Sequence, residues 1–196
     1  MLSAQDTFAV MNDLSRSENS ADDVILVDAD DRPLGTMGKL LAHQRGVRHR
    51  AISVIVRDRH NRLLLQQRAP AKYHSGGLWT NTCCSHPRPG EDTREAAGRR
   101  LKQEMGFTCS LTHLFTTHYR ADVPGGLIED EIVHVFGGRH DGTPDPDPHE
   151  VADWCWKTPE ELARDIDARP ELYTVWFREY LRGFWPAMTA AQLPGA

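Results

Sequence analysis

A chain of 196 residues, 39% hydrophobic and 26% charged, reads as one domain with enough apolar mass to bury a core. Its formal net charge of −5 argues against a general nucleic-acid binder, which would carry a basic excess, but leaves room for a local basic cluster that holds a small anion. No apolar run approaches the roughly 20 residues that span a bilayer, no basic and then apolar signal segment opens the chain, and Cys83, Cys84, Cys109 and Cys155 are expected as reduced thiols in a cytoplasmic protein.

Residues 1–22 are polar and unpatterned and read as a loose leader, with a single domain over 23–185. Residues 24–27 form a strand, stopped by the turn-rich 28–33, and 34–36 return beside it. Residues 39–43 read as a short helix or strand end. A hairpin is expected next, from the β-branched run 51–56 through a turn at 58–61 into 62–68. After a loop at 70–77, residues 78–85 form one strand. Asp92 caps a helix, with Glu95 completing a capping-box pattern and Gly106 as its stop. Strands at 111–121 and 127–136 are joined by Pro124-Gly125-Gly126; an exposed loop at 142–148 precedes a strand at 151–157. Thr158, Pro159 and Glu161 open a helix with a capping box. A final helix after Pro170 carries Leu172, Val175, Trp176, Tyr180, Leu181 and Phe184 at helical spacing, and 186–196 form a frayed tail. This order predicts an α/β (α+β) mixed sheet sandwiched between helices.

The stretch Trp79-Thr80-Asn81-Thr82-Cys83-Cys84-Ser85-His86-Pro87 organises the rest. Alternate residues of an extended chain share a face, so Cys84 and His86 look one way and Cys83 the other. Glu129 and Glu131 likewise share a strand face, where one would keep its proton unless a cation lies between them. With His43, His49 and His86 they would suit a divalent ion of borderline hardness, such as zinc, manganese or iron. The same residues scattered over a solvated surface would bind nothing. Lys39, Arg68, Lys72 and Arg100 suit a diphosphate, Arg as a fork and Lys as a point charge. Tyr119 and Trp176 are core aromatics by default, though an aromatic face also attracts a cation.

Residues 85–107 resemble a Nudix box, G-x5-E-x7-R-E-U-x-E-E-x-G-U with U apolar. Glu91, Arg99, Leu101, Glu104, Gly106 and Phe107 match, while Ser85, Arg100 and Gln103 replace a Gly and two Glu. The lost glutamates weaken a reading as a Nudix pyrophosphohydrolase, the nearest rival; a metal-stabilised binding module is another. From about residue 24 to 180 the chain resembles the type I isopentenyl-diphosphate isomerase family, a Nudix-fold family. The resemblance lies in Leu41-Ala42-His43, His49-Arg50-Ala51-Ile52-Ser53, Gln67-Arg68-Ala69, Trp79 to Pro87, Tyr119-Arg120-Ala121 and Glu129-Asp130-Glu131. It implies conversion of isopentenyl to dimethylallyl diphosphate for isoprenoid synthesis. It assigns catalysis to Cys84 and Glu131 with Tyr119, and an ion (Zn2+, Mn2+ or Mg2+) to His43, His49, His86, Glu129 and Glu131. It gives a substrate-bridging Mg2+ to Glu104, diphosphate contacts to Lys39, Arg68, Lys72 and Arg100, and the allylic group to Trp176. On this reading Glu131 donates a proton and Cys84 takes one as thiolate, although the sequence leaves acid and base open. The partner is a small molecule, with no nucleic acid or membrane, and the protein is a monomer or weak dimer.

Overall fold

The computed structural model describes residues 22–193; the expected leader, but for Asp22, and the last three residues lie outside them. Strand β1 (Asp23–Val27) pairs antiparallel with β2 (Pro33–Gly38). The turn between them is closed by the Asp28 carboxylate, which accepts from the backbone N–H of Asp30 and Arg32. The uncertain segment at 39–43 is helical: α1 (Lys39–Arg45) ends at Gly46, in the left-handed conformation at φ 59° that glycine adopts without penalty.

Strand β3 (His49–Arg57) is the centre of the sheet. It pairs in parallel with β8 (Leu127–Arg139) at nine positions, from His49↔Glu131 to Arg57↔Arg139, and antiparallel with β6 (Cys83–Ser85). The expected hairpin with β4 (Leu63–Arg68) is splayed open. The two strands pair only at Arg57↔Leu63, and β4 turns instead to β9 (Val151–Lys157) and β5 (Trp79–Thr80). The reason is in the composition of the run: 51–56 is almost continuously apolar, the mark of a strand covered on both faces and flanked by neighbours.

The single strand expected at 78–85 is in fact two, β5 on β4 and β6 on β3, because the chain crosses the gap between the splayed strands. Polar side chains replace the missing ladder there. Thr82 Oγ1 accepts from Val56 N–H and donates to the Leu64 carbonyl, joining β3 to β4. Asn81 Nδ2 donates to Ser53 Oγ, the Val54 carbonyl and the Cys83 carbonyl. Strand β7 (Thr112–Val123) completes the sheet by pairing with β8.

Alternation along β3 divides two cores. Ile52, Val54 and Val56 pack with Cys83 and with Ala96, Ala97, Leu101 and Met105 of α2 (Thr93–Met105), which Asp92 caps. Ala51 and Ile55 face Leu162 of α3 (Pro159–Ala168) and Trp176, Phe177 and Tyr180 of α4 (Val175–Thr189). The sheet is thus held between helices, as the sequence predicts. The Thr158–Glu161 capping box forms in full. Leu172 lies outside the last helix, in a 3-10 turn (Pro170–Leu172). The tail expected from 186 instead continues the helix to Thr189, with a kink at Phe184 two residues before Pro186. Met188 is buried there, and the Arg57 guanidinium donates to the carbonyls of Thr189 and Ala191.

Candidate active site

One narrow cavity opens on the α4 side of the sheet. Its wall includes Cys84, His86, Tyr119, Glu129, Glu131 and Trp176, and Lys39, Arg68, Lys72 and Arg100 also border it. His43, His49 and Glu104 are buried but are not part of the cavity lining.

Cys84 faces this cavity because the crossing at Asn81-Thr82 sets the phase of β6. Its neighbour Cys83 points into the opposite core. Cys84 Sγ donates to Asn81 Oδ1 at 3.1 Å and lies 3.3 Å from Ser53 Oγ. Burial pushes the thiol up to about 12, against the opposing effect of these two partners. At neutral pH the sulfur therefore holds its proton, and the thiolate expected from sequence has to be formed within the site.

Four residues converge on one point. Glu131 Oε1 lies 2.9 Å from His86 Nε2, 3.3 Å from His49 Nε2 and 3.9 Å from His43 Nε2. The ligand atoms of His43, His49, His86 and Glu131 all fall within 4.8 Å of one another. The Nδ1 atoms of His43 and His49 each sit 2.8 Å from a backbone carbonyl, of Lys39 and Val47. That contact places the N–H on Nδ1 and leaves the Nε2 lone pair facing inward, the tautomer a metal requires. Burial keeps His86 neutral, its pKa lowered to about 4, and lowers His43 as well. His49 Nε2 is buried and has no hydrogen-bond partner among the described residues. An orphaned imidazole nitrogen beside a carboxylate and two more imidazoles fits a divalent cation.

Glu129 is not within that four-residue group but joins it through His43, with which it groups together with His74. Tyr119 Oη donates to Glu129 Oε2 and Glu131 Oε2, both at 2.8 Å. Burial and the charge of Glu131 raise Glu129 well above the carboxylate range. Glu131 is buried too, but its hydrogen bond with His86 Nε2 helps hold it well below its ordinary value.

The basic residues meet along the cavity wall, and two carboxylates join them. Arg100 Nη2 donates to Glu104 at 2.6 Å and to Glu150 at 3.1 Å; Lys72 also pairs with Glu150. Glu104 additionally accepts from Gln66 at 3.1 Å. Trp176 is held by its indole N–H, which donates to Thr80 Oγ1 at 2.9 Å, and Arg68 lies over its ring at 5.3 Å. His74, Tyr73, Tyr180 and Glu150 were not singled out from the sequence as site residues; each comes from a loop or helix whose position depends on long-range packing. The lone signal was the density of ring and charged residues around Lys72.

The chain matches the NUDIX domain family over residues 47–177. It is 56% identical over 155 residues to isopentenyl-diphosphate Delta-isomerase 2 of Aromatoleum aromaticum, covering 79% of this chain and 82% of that protein. It is 46% identical over 173 residues to the isopentenyl-diphosphate Delta-isomerase of Pectobacterium atrosepticum, covering 87% and 97%. The chain belongs to the type I isopentenyl-diphosphate isomerase family of the Nudix superfamily. Among solved structures, DR0079 from Deinococcus radiodurans superposes with a TM-score of 0.67 at 20% identity, covering 82% of this chain and 97% of that one, which supports the fold.

The altered Nudix box of this isomerase family member takes on structural work. Glu91 grips Arg99 through both oxygens, at 2.6 and 2.7 Å, and accepts from Arg88 N–H. Gln103 accepts from Arg99 and Arg100, where a hydrolase box would gather carboxylates. Among the described residues no helix is long and apolar enough to cross a membrane.

Proposed function

We propose that the cavity converts isopentenyl diphosphate to dimethylallyl diphosphate by passing a proton across the substrate between Cys84 and Glu131. The observation that carries this is their shared cavity wall, with a cluster of cations lining the same cavity. Lys39, Arg68, Lys72 and Arg100 hold the diphosphate, and Glu150 has to release Lys72 and Arg100 as the anion enters. Anchoring the diphosphate places the alkene between sulfur and carboxylate, and such positioning is where large rate gains arise.

Isomerisation adds a proton at the alkene terminus and removes one from C2. The pair holds one transferable proton, so delivery by one member and removal by the other leaves the count unchanged. The positive charge passes through the tertiary carbon between them, and the Trp176 face attracts it by roughly 2 kcal/mol when desolvated. Tyr119 holds the carboxyl groups of Glu129 and Glu131 in line. A divalent ion held by His43, His49, His86 and Glu131, with Glu129, supplies fixed positive charge beside the Glu131 carboxylate. Three imidazoles favour zinc or manganese there, and Mg2+ at Glu104 suits the diphosphate oxygens.

The test is to incubate the protein with isopentenyl diphosphate and Mg2+ in heavy water. Acid-labile allylic diphosphate should appear, with deuterium in both substrate and product. Release of inorganic phosphate in its place would return the site to hydrolysis, and full turnover by Cys84→Ala would remove the thiol from the mechanism.

A further inference from the structure

His74 has no role in the reading above, yet it is 4% exposed at the inner end of the loop 70–77. Its Nε2 lies 3.3 Å from Glu129 Oε1, and its ring stands edge-on to Trp176 with centroids 5.9 Å apart. The loop that carries it is fixed at both edges. Arg68 Nη2 donates to the His74 carbonyl at 3.2 Å. At Gly76 an added Cβ would come within 2.5 Å of the Pro70 carbonyl oxygen, so the backbone there closes as only glycine permits.

One tautomer suits both neighbours of the ring. Ser75 Oγ is 3.2 Å from His74 Nδ1, and a hydroxyl donating there leaves the ring N–H on Nε2, facing Glu129. Tyr119 donates to the other oxygen of the same carboxylate at 2.8 Å. Glu129 thus has a polar neighbour at each oxygen, a hydrogen bond from β7 and the His74 ring nitrogen from the loop. Carboxylates that bind metals are commonly oriented in this way by outer hydrogen bonds.

We propose that His74 is a positioning residue whose Nε2–H orients the Glu129 carboxylate for the divalent ion, an inference that rests on the metal reading of the preceding section. Glu129 groups with His43 and His74, and Glu131 with His43, His49 and His86, so the two carboxylates share His43 and His74 stands on the Glu129 side alone.

The experiment measures metal affinity without turnover. Metal-stripped protein is titrated with Zn2+ and with Mn2+ against a chromophoric chelator, for wild type, His74→Ala and His74→Gln. Circular dichroism of the stripped proteins verifies their fold, and the glutamine variant retains a donor if alanine collapses the loop. His74→Ala should bind roughly 10–100-fold more weakly, with His74→Gln close to wild type. Equal affinity in His74→Ala, or His74→Gln as weak as alanine, overturns the proposal. Water-proton relaxation of the Mn2+ forms should match between wild type and His74→Ala. An added inner-sphere water in the variant would make His74 a ligand itself and also overturn the positioning role. A wild-type protein that binds neither ion defeats the metal reading instead.

Discussion

Ser53 and Cys84 face each other across the β3–β6 ladder, with Oγ and Sγ 3.3 Å apart, and the same Ser53 hydroxyl accepts from Asn81 Nδ2. The sulfur is therefore aimed by the device that bridges the splayed strands. Replacing Asn81 with Ala removes the thiol's acceptor and the Nδ2 donor shared by Ser53 Oγ and the Val54 and Cys83 carbonyls. The expected cost is about 1–3 kcal/mol of stability, read as a lower urea midpoint, together with a fall in kcat. Cys84→Ala should keep the fold and diphosphate binding but lose turnover. An Asn81→Ala variant with wild-type stability would mean that the bridge contributes nothing.

Tyr119 is the next case, because one hydroxyl serves two carboxyl groups. Tyr119→Phe removes both bonds without changing the ring. A hydrogen bond to a charged group contributes about 1.5–3 kcal/mol, so kcat should drop roughly 10–100-fold. KM should move little, since the diphosphate contacts are untouched. Steady-state kinetics on the pure variant decides this, and a change confined to KM would count against the assignment.

Lys72 provides a pH signature. Burial lowers its pKa to about 8, with Glu104 opposing and Arg68, Arg100 and Lys39 adding to the decrease. Above pH 8 the free site loses one positive charge, so kcat/KM should fall through an alkaline limb near 8. Stability moves the other way. Between about 8 and the unfolded value near 10.4, the unfolded chain binds the proton and the folded chain does not, so stability rises with pH. Lys72→Arg should remove the limb from the kcat/KM profile, and Lys72→Met should remove this stability increment.

Much of the site was legible in the chain. The spacing of Cys84 and His86, and of Glu129 and Glu131, reports strand faces directly, because the period of two is a local property. The apolar run at 51–56 likewise marked a strand, yet its partners could not be read. Whether β3 pairs with β4 or with β8 depends on which surfaces α2 and α4 cover, a long-range matter. The crossing at Asn81-Thr82 was invisible for the same reason, since its bonds run to Ser53, Val54, Val56 and Leu64. His74 and Glu150 come from loops, where no periodicity announces a direction.

The end of the last helix shows the same limit and allows a sharp test. Its composition suggested fraying from residue 186, but Arg57, buried in the central strand, donates to the Thr189 and Ala191 carbonyls and to Asn61 Oδ1. Truncation after Trp185 removes those two carbonyl acceptors from the guanidinium. Losing hydrogen bonds to a charged group costs about 1.5–3 kcal/mol for each bond. Because α4 also carries Trp176, activity should decline with stability. Arg57→Met alone should be less harmful than truncation, and added to the truncated chain it should recover part of the loss, since no guanidinium then lacks those acceptors. Urea unfolding of the two single changes and their combination gives the coupling directly. Strict additivity, or a truncated chain as stable as the full one, would show that the helix end is not held by Arg57.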